Sequence, residues 1–418
     1  MRTTTLAPRR HRSRYRDGRV LGRLSAIAVV MIVTAACHDD AMKLNPVAPS
    51  SPGLAVSSDG TWLVNSLADP GDGACMNSEC TLREAIVAAQ DGERITFKSN
   101  LSGTIDLTAG FLLVDKILTI AARDPGQVTV NAQGASGVFR ISGDVVTLSG
   151  LTITGGGGSA GSGIEVFGSS TLTLVGSVVT GNTATVGGGI HIRPGGMARV
   201  IGSTIAANAV TFSGGGIYSQ GNLTISRSTI SGNTSEFEGG GIGFDCNDIG
   251  CTNLVLTSST ITRNSAPNGG GLHVLSGYPP AIIANTIIAG NKPLANFADP
   301  TADCKNSYGF TDLGYSLTTA GTGCDLTSPT NVIVPVPSQV FVSVLMPVLA
   351  ENGSSRPTHA LIERGYAVDA GYCPGENGDQ RGFPRPYDDF RMPNALDACD
   401  IGAFEWQPVD AKGKGPKP

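Results

Sequence analysis

The chain has 418 residues, 57 of them Gly, with only 6% aromatic and 15% charged residues and a formal net charge of −5. High Gly together with many Thr, Ser, Val and Ile excludes an ordinary helical protein and suits an all-β repeat. The acidic balance argues against nucleic acid as a partner, the more so because losing the eight Arg and one Asp of residues 1–36 takes the charge to −12.

Residues 1–36 read as an export signal, an Arg-rich start followed by the apolar run LSAIAVVMIVTAA at 24–36. The run is shorter than a confident membrane span. It ends in Thr34-Ala35-Ala36-Cys37, which resembles a bacterial lipobox although Thr34 stands where Leu or Val is usual. The resemblance implies that Cys37 is lipidated, with ordinary cleavage near Ala36 as the alternative. Membrane contact would then be through a lipid anchor only. Residues 37–60, rich in Pro, Ser, Ala and Asp, read as a flexible linker behind that anchor.

Residues 61–93 form an N-terminal cap. Thr81-Leu82-Arg83-Glu84 has the form of a capping box, and Leu82, Ala85, Ile86 and Ala89 then share one helical face. Such a helix can close the open end of a core. VNSLADPGDGACMNSECTLREAIVAAQ resembles the bacterial CSLREA domain, with Thr81 in place of its Ser. Capping accounts for Glu84 without a catalytic role, and Arg83 is expected to have a local structural partner.

Residues 94–334 are organised by a repeat. Short strands are expected at Ile95–Phe97, Thr104–Leu107, Ile117–Ile120 and Val128–Val130. A regular pattern follows: SVVTGN (177–182), STIAAN (203–208), STISGN (228–233), STITRN (259–264) and NTIIAGN (285–291). GGGI or GGGL follows the first four, at 187, 214, 239 and 269, with GSGI at 161–164 ahead of them. Each period holds short apolar/polar alternations, the mark of strands with one buried face, and no crossover helix. Such strands are stable only if each pairs with its equivalent one coil later, at about 4.8 Å. This predicts a three-sheet parallel β-helix with Ile153, Val179, Ile205, Ile230, Ile261 and Ile287 as an inward stack. The Asn column is expected to bond coil to coil at a bend and to adopt left-handed angles there. The lines resemble right-handed β-helix repeats and those of chlamydial polymorphic outer-membrane proteins, which implies a right-handed, pectin-lyase-like superhelix.

Residues 335–406 contain, in order, LMPVLAENGSSRPTHAL, AVDAG, DQRGFPRP and ACDIGAFEW. With the Cys-bounded segment 302–324 before them, they resemble the C-terminal part of proteins with a choice-of-anchor Q domain, which implies an exported bacterial surface protein. The tail 407–418 reads as disordered. Nine Cys less Cys37 leave eight in close pairs, and proximity suggests Cys75–Cys80, Cys246–Cys251, Cys304–Cys324 and Cys373–Cys399. No accompanying CxxC or His-x-His arrangement points to metal, so disulfides in an oxidising compartment are expected.

Candidate chemistry lies on the residue after each Gly-rich line: Glu165, His191, Tyr218, Gly243 and His273. If these stack outward, Glu165 beside His191 could act as acid and base. A solvated sheet face is the simpler expectation. Coils 171–230 contain no Asp or Glu, so a second carboxylate for hydrolysis is not evident. Asp245 with Asp248, and Asp299 with Asp303, read as isolated loop pairs. Asp379, Arg381, Arg385 and Asp400 read as a structural ion network. The expectation is a surface β-helix without cofactor or metal, acting by adhesion or as a scaffold on a glycan or another surface protein. The alternative is a carbohydrate-active enzyme of the same fold.

Overall fold

The computed structural model describes residues 53–408, apart from 159–162, 247–252, 277–279 and 294–301. The export signal, Cys37, most of the linker, Asp248, Cys251, Asp299 and the end of the tail lie outside these residues.

Alternation fixes the strands and stacking joins them. Val179 pairs with Ile153 on one side and Ile205 on the other, all in parallel register. Repeated along the chain, this yields ten-, eight- and ten-stranded sheets. The first sheet runs from Thr61–Val64 to Phe310–Asp312, the second from Leu112–Val114 to Cys304–Asn306, and the third from Gly103–Asp106 to Val332–Val334. The fold is an all-β, right-handed parallel β-helix. A fourth sheet of three strands, Thr183–Val186, Ala209–Ser213 and Thr234–Ser235, was not legible as a separate face.

The inward stack follows the predicted column through Ile261 and then passes to Ile288, not Ile287. The offset between the two coils is constant, so Thr286 stands in the place of Ser259 and Ile287 in the place of Thr260, on the face away from the core. There it joins a second apolar cluster with Leu317, Leu345, Val368 and Ile401.

Two buried polar ladders hold the bends. Asn182 Nδ2 donates to Asn208 Oδ1 at 2.9 Å, Asn208 to Asn233 at 2.9 Å, Asn233 to Asn264 at 2.9 Å and Asn264 to Asn291 at 3.0 Å. Each Oδ1 also accepts the backbone N–H of the preceding Asn. Each Nδ2 also reaches a main-chain carbonyl of the preceding coil, as Asn233 does to Ile205 at 2.9 Å. The ladder ends on Asp303, whose Oδ1 accepts from Asn291 at 3.0 Å. Asp303 is therefore a member of the column, not an isolated loop acid. Burial pushes its carboxyl up, against the bonds from Asn291 and Thr322 that hold it down. The left-handed residue is the one before each Asn, such as Ala207 or Arg263, and not the Asn as expected. The second ladder was missed in the sequence. Ser203 Oγ accepts from the Ser177 N–H at 3.1 Å, Ser228 from Ser203 at 3.1 Å and Ser259 from Ser228 at 3.2 Å.

The Gly-rich corners have a steric cause. Gly214 has φ +69°, and a Cβ on Gly215 would lie 2.4 Å from the Gly240 carbonyl oxygen of the next coil.

At the N-terminal end the helix Leu82–Ala88 carries the expected capping box: the Thr81 N–H donates to Glu84 Oε2 at 2.8 Å, and the Glu84 N–H to Thr81 Oγ1 at 3.3 Å. Arg83 pairs with Asp69 at 2.6 Å and donates to the Gly110 and Phe111 carbonyls. The folded part begins before residue 60, because Leu54 and Val56 bridge Met76 and Trp62. Disulfides join Cys75–Cys80, Cys304–Cys324 and Cys373–Cys399.

The C-terminal region lies along the outer face of the third sheet. Thr204 Oγ1 donates to the Pro357 carbonyl at 2.8 Å, Thr229 Oγ1 to Gln380 Oε1 at 2.6 Å, and the Ala403 N–H to Thr260 Oγ1 at 3.1 Å. Ser231 Oγ lies 2.8 Å from His359 Nε2. Alternation alone would leave Thr229 facing water, yet it is fully buried by this region.

A first prediction follows. Ile230→Asp should cost several kcal/mol by placing an unpaired charge in a dry core. Thr229→Asp should also destabilise strongly, since its carboxylate would face Gln380 under the C-terminal region. Thermal melts of both variants check this, and a near-native melt for Thr229→Asp would contradict the docking.

Candidate functional site

The Gly corners set the second sheet so that one outward residue per coil lines up. Register places Arg140, Glu165, His191, Tyr218, Gly243, His273 and Lys305 in one row. The expected stacking of Glu165, His191, Tyr218 and His273 is therefore present. The expected solvated face is not, because Glu165 is 3% exposed, His191 2%, Tyr218 7% and His273 8%.

Side chains from neighbouring coils cover the row. Glu165 is held between two arginines: Arg140 Nε lies 3.2 Å from its Oε2, and Arg193 Nη2 lies 2.6 Å from its Oε1. His191 packs at a tilt against Tyr218, with ring centroids 5.5 Å apart. Among the described residues neither ring nitrogen makes a well-aligned hydrogen bond, and Gln220 lies beside the ring. Burial, and then the charge of Arg193, lowers its pKa to about 4, so the ring is neutral at pH 7. Tyr218 donates to Asp245 Oδ2 at 3.1 Å, and Ser276 to Asp245 Oδ1 at 2.5 Å. Burial and the neighbouring Asp245 carboxylate push the Tyr218 phenol well up. His273 Nδ1 lies 3.2 Å from Glu238 Oε2, but out of line for a hydrogen bond. Lys305 Nζ donates to Asn268 at 2.5 Å.

The sequence reading missed Arg140, Arg193, Glu238 and Asp245 as members of this site. It looked for carboxylates within coils 171–230, whereas Glu238 and Asp245 reach the row from the coil after Tyr218. Asp245 closes the strand Ile242–Asp245 and is not confined to a loop. A signal was present, since two of the Gly-rich lines are preceded by a polar residue that leans on the row of the next coil: Glu238 on His273 and Asn268 on Lys305.

The arrangement limits acid–base chemistry. Glu165 is fixed by two charge-assisted pairs, so Glu165 and His191, though adjacent, do not form a proton-transfer pair. Asp245 accepts from Tyr218, and Glu238 lies beside His273.

The second polar set is structural. Arg381 pairs with Asp379 at 2.6 Å, donates to the Asn352 and Glu405 carbonyls, and lies 3.6 Å from the Phe404 ring centre. Arg385 pairs with Glu405 at 2.9 Å and donates to the Asp400 and Gly402 carbonyls. Asp400 accepts the Asp369 and Trp406 N–H groups. Burial pushes Asp400 and Glu405 up. Cys373, Asp397 and Cys399 lie close enough together for a metal, but the two sulfurs are joined to each other and Asp397 binds the Cys373 and Cys399 N–H groups.

Residues 126–289 match the family model described as a right handed beta helix region. No curated protein is significantly similar in sequence. A crystal structure of pectate lyase Pel9A is similar at 15% identity over 84% of this chain and 98% of that chain, with a TM-score of 0.45. The family match and the sheet order both give a right-handed parallel β-helix.

The buried histidines give a pH prediction. His191 and His359 both titrate near 4 in the fold, against 6.5 for a free imidazole. Unfolding therefore takes up protons, so the stability they contribute is present above 6.5 and is lost as pH falls through about 4. Melting temperature should drop across this window, and His191→Phe, which keeps the ring packing, should flatten the drop.

Proposed function

We propose that the chain is an exported bacterial surface protein whose β-helix is a non-catalytic adhesion or scaffold module, held to a membrane by lipid on Cys37. The observation that carries the reading is the sealed row: Glu165 is locked between Arg140 and Arg193, and His191 is neutral and covered. A hydrolase or lyase needs a proton donor or acceptor open to a substrate. Export is supported by the leader-like residues 1–36 and by three disulfides. The resemblances to the CSLREA and choice-of-anchor Q families support a surface location. The partner is a glycan or another surface protein.

A carbohydrate-active enzyme is the second reading, and Tyr218 with Asp245 and Glu238 nearby is the observation that favours it.

Purified protein should leave pectin, alginate and related polymers at full length, with or without Ca²⁺. Product formation that disappears in Glu165→Gln, Glu238→Gln or Asp245→Asn would overturn the non-catalytic reading. In cells, Cys37→Ser should release the protein from membranes or leave its precursor uncut. Unchanged fractionation with normal processing would remove the anchor.

A further inference from the structure

The sealed Glu165 has a consequence on its outer side. Its two arginines are each about 40% exposed, while the carboxylate between them is 4% exposed. Arg140 uses only Nε on Glu165, and Arg193 uses Nε and Nη2. Among the described residues, both Nη groups of Arg140 and Nη1 of Arg193 donate to no protein atom. Two guanidinium groups against one carboxylate leave one positive charge in excess, on a protein whose mature net charge is expected to be −12.

The arginines are also held in place by rings. Arg140 Cζ lies 4.1 Å from the Phe111 ring centre and 5.4 Å from that of Phe167, and Arg193 Cζ lies 5.4 Å from Phe167. Phe167 is thus shared by both cations. A buried carboxylate and aromatic faces fix the planes of two guanidinium groups whose remaining donors face solvent. That is a pre-organised receptor for planar or tetrahedral oxyanions.

We propose that Arg140, Phe167 and Arg193 form a contact site for an acidic polysaccharide, one bearing carboxylate or sulfate groups. The proposal rests on the reading of the chain as a glycan-contacting surface module and names the ligand class. A repeating anion suits the site better than a free one. It can engage both arginines at once, while the apolar face of a sugar ring packs on Phe167. A single small anion at half-exposed arginines would gain little over water. A folded protein partner would need roughly 800 Å² on each side, far more than two side chains and a ring present.

The test is binding of the purified protein to an immobilised polyuronate, a sulfated dextran and a neutral dextran, at low and at high salt. The acidic polymers should retain the protein, with retention falling as salt rises, and neutral dextran should not. The polyuronate and sulfate arms decide which oxyanion is preferred. Arg140→Gln with Arg193→Gln should weaken binding about tenfold or more. Arg140→Lys keeps the ion pair to Glu165 and the fold but loses the planar fork, and should weaken binding several-fold with an unchanged melt. Equal retention of wild type and Arg140→Lys on every polymer, or no retention of wild type on either acidic polymer, would overturn the proposal. Polymer length is read in the same samples. Shortened chains would count against the non-catalytic reading, whereas failure to bind with intact polymer would count against this site alone.

Discussion

The structure depends on an amide that is buried and fully bonded. Each ladder Asn sits inside a bend where water cannot reach, so its Nδ2 and Oδ1 must find partners in the adjoining coils. They do so in the same way every time, which fixes both the spacing and the register of the stack. One-residue slippage would leave several amides unpaired at once, each at a cost of about 1–3 kcal/mol. The ladder is also directional. In every Asn-to-Asn bond the Nδ2 of one coil donates to the Oδ1 of the next, and the oxygen that meets the last of them belongs to Asp303. An acid in the last position opposes the polarity that the preceding amides build up.

The same stacking explains why the outward row on the second sheet is closed. A coil rises by only about 4.8 Å, less than the length of most polar side chains. A residue on one coil therefore overlaps residues on the next, and long side chains on both flanks cover it. Glu165 beneath Arg193, Tyr218 against Asp245 and Glu238 against His273 are three cases of one geometry. Polarity on a solenoid face does not by itself make a groove. What remains available to a partner is the outer half of the long cations.

The parts of the fold that repeat were legible in the sequence. Period-two alternation gave the strands, the Asn column gave the coil-to-coil bonds, and Thr81 with Glu84 gave the helix cap. The column was misplaced at Ile287 because two Ile stand side by side there and the line starts at Thr286, in the place of Ser259, not at Asn285. The burial of Thr229 was not legible, because alternation reports which side of a strand faces the core and cannot report what a later segment lays over the other side. The site was legible by column only. Glu165, His191, Tyr218 and His273 align as their spacing implies, and Arg140 stands in the same column one coil earlier, ahead of the first Gly-rich line, while Arg193, Glu238 and Asp245 reach the row diagonally from outside it. The Ser ladder was hidden in plain composition, since Ser in a Gly-rich chain carries little information until its neighbour one period away is known to accept from it.

The C-terminal region changes how such a stack behaves under load. A bare solenoid is held only between adjacent coils, so its ends can fray one turn at a time. Here Gln380 bonds both Thr204 and Thr229, Ala403 bonds Thr260, and Asp400 bonds Asn285, across sequence separations of 115 to 176 residues. Those contacts splice four consecutive turns to one segment made last. The middle of the rod should therefore open as a block or not at all, and the register set by the amides is locked only once the chain has come back along its own side.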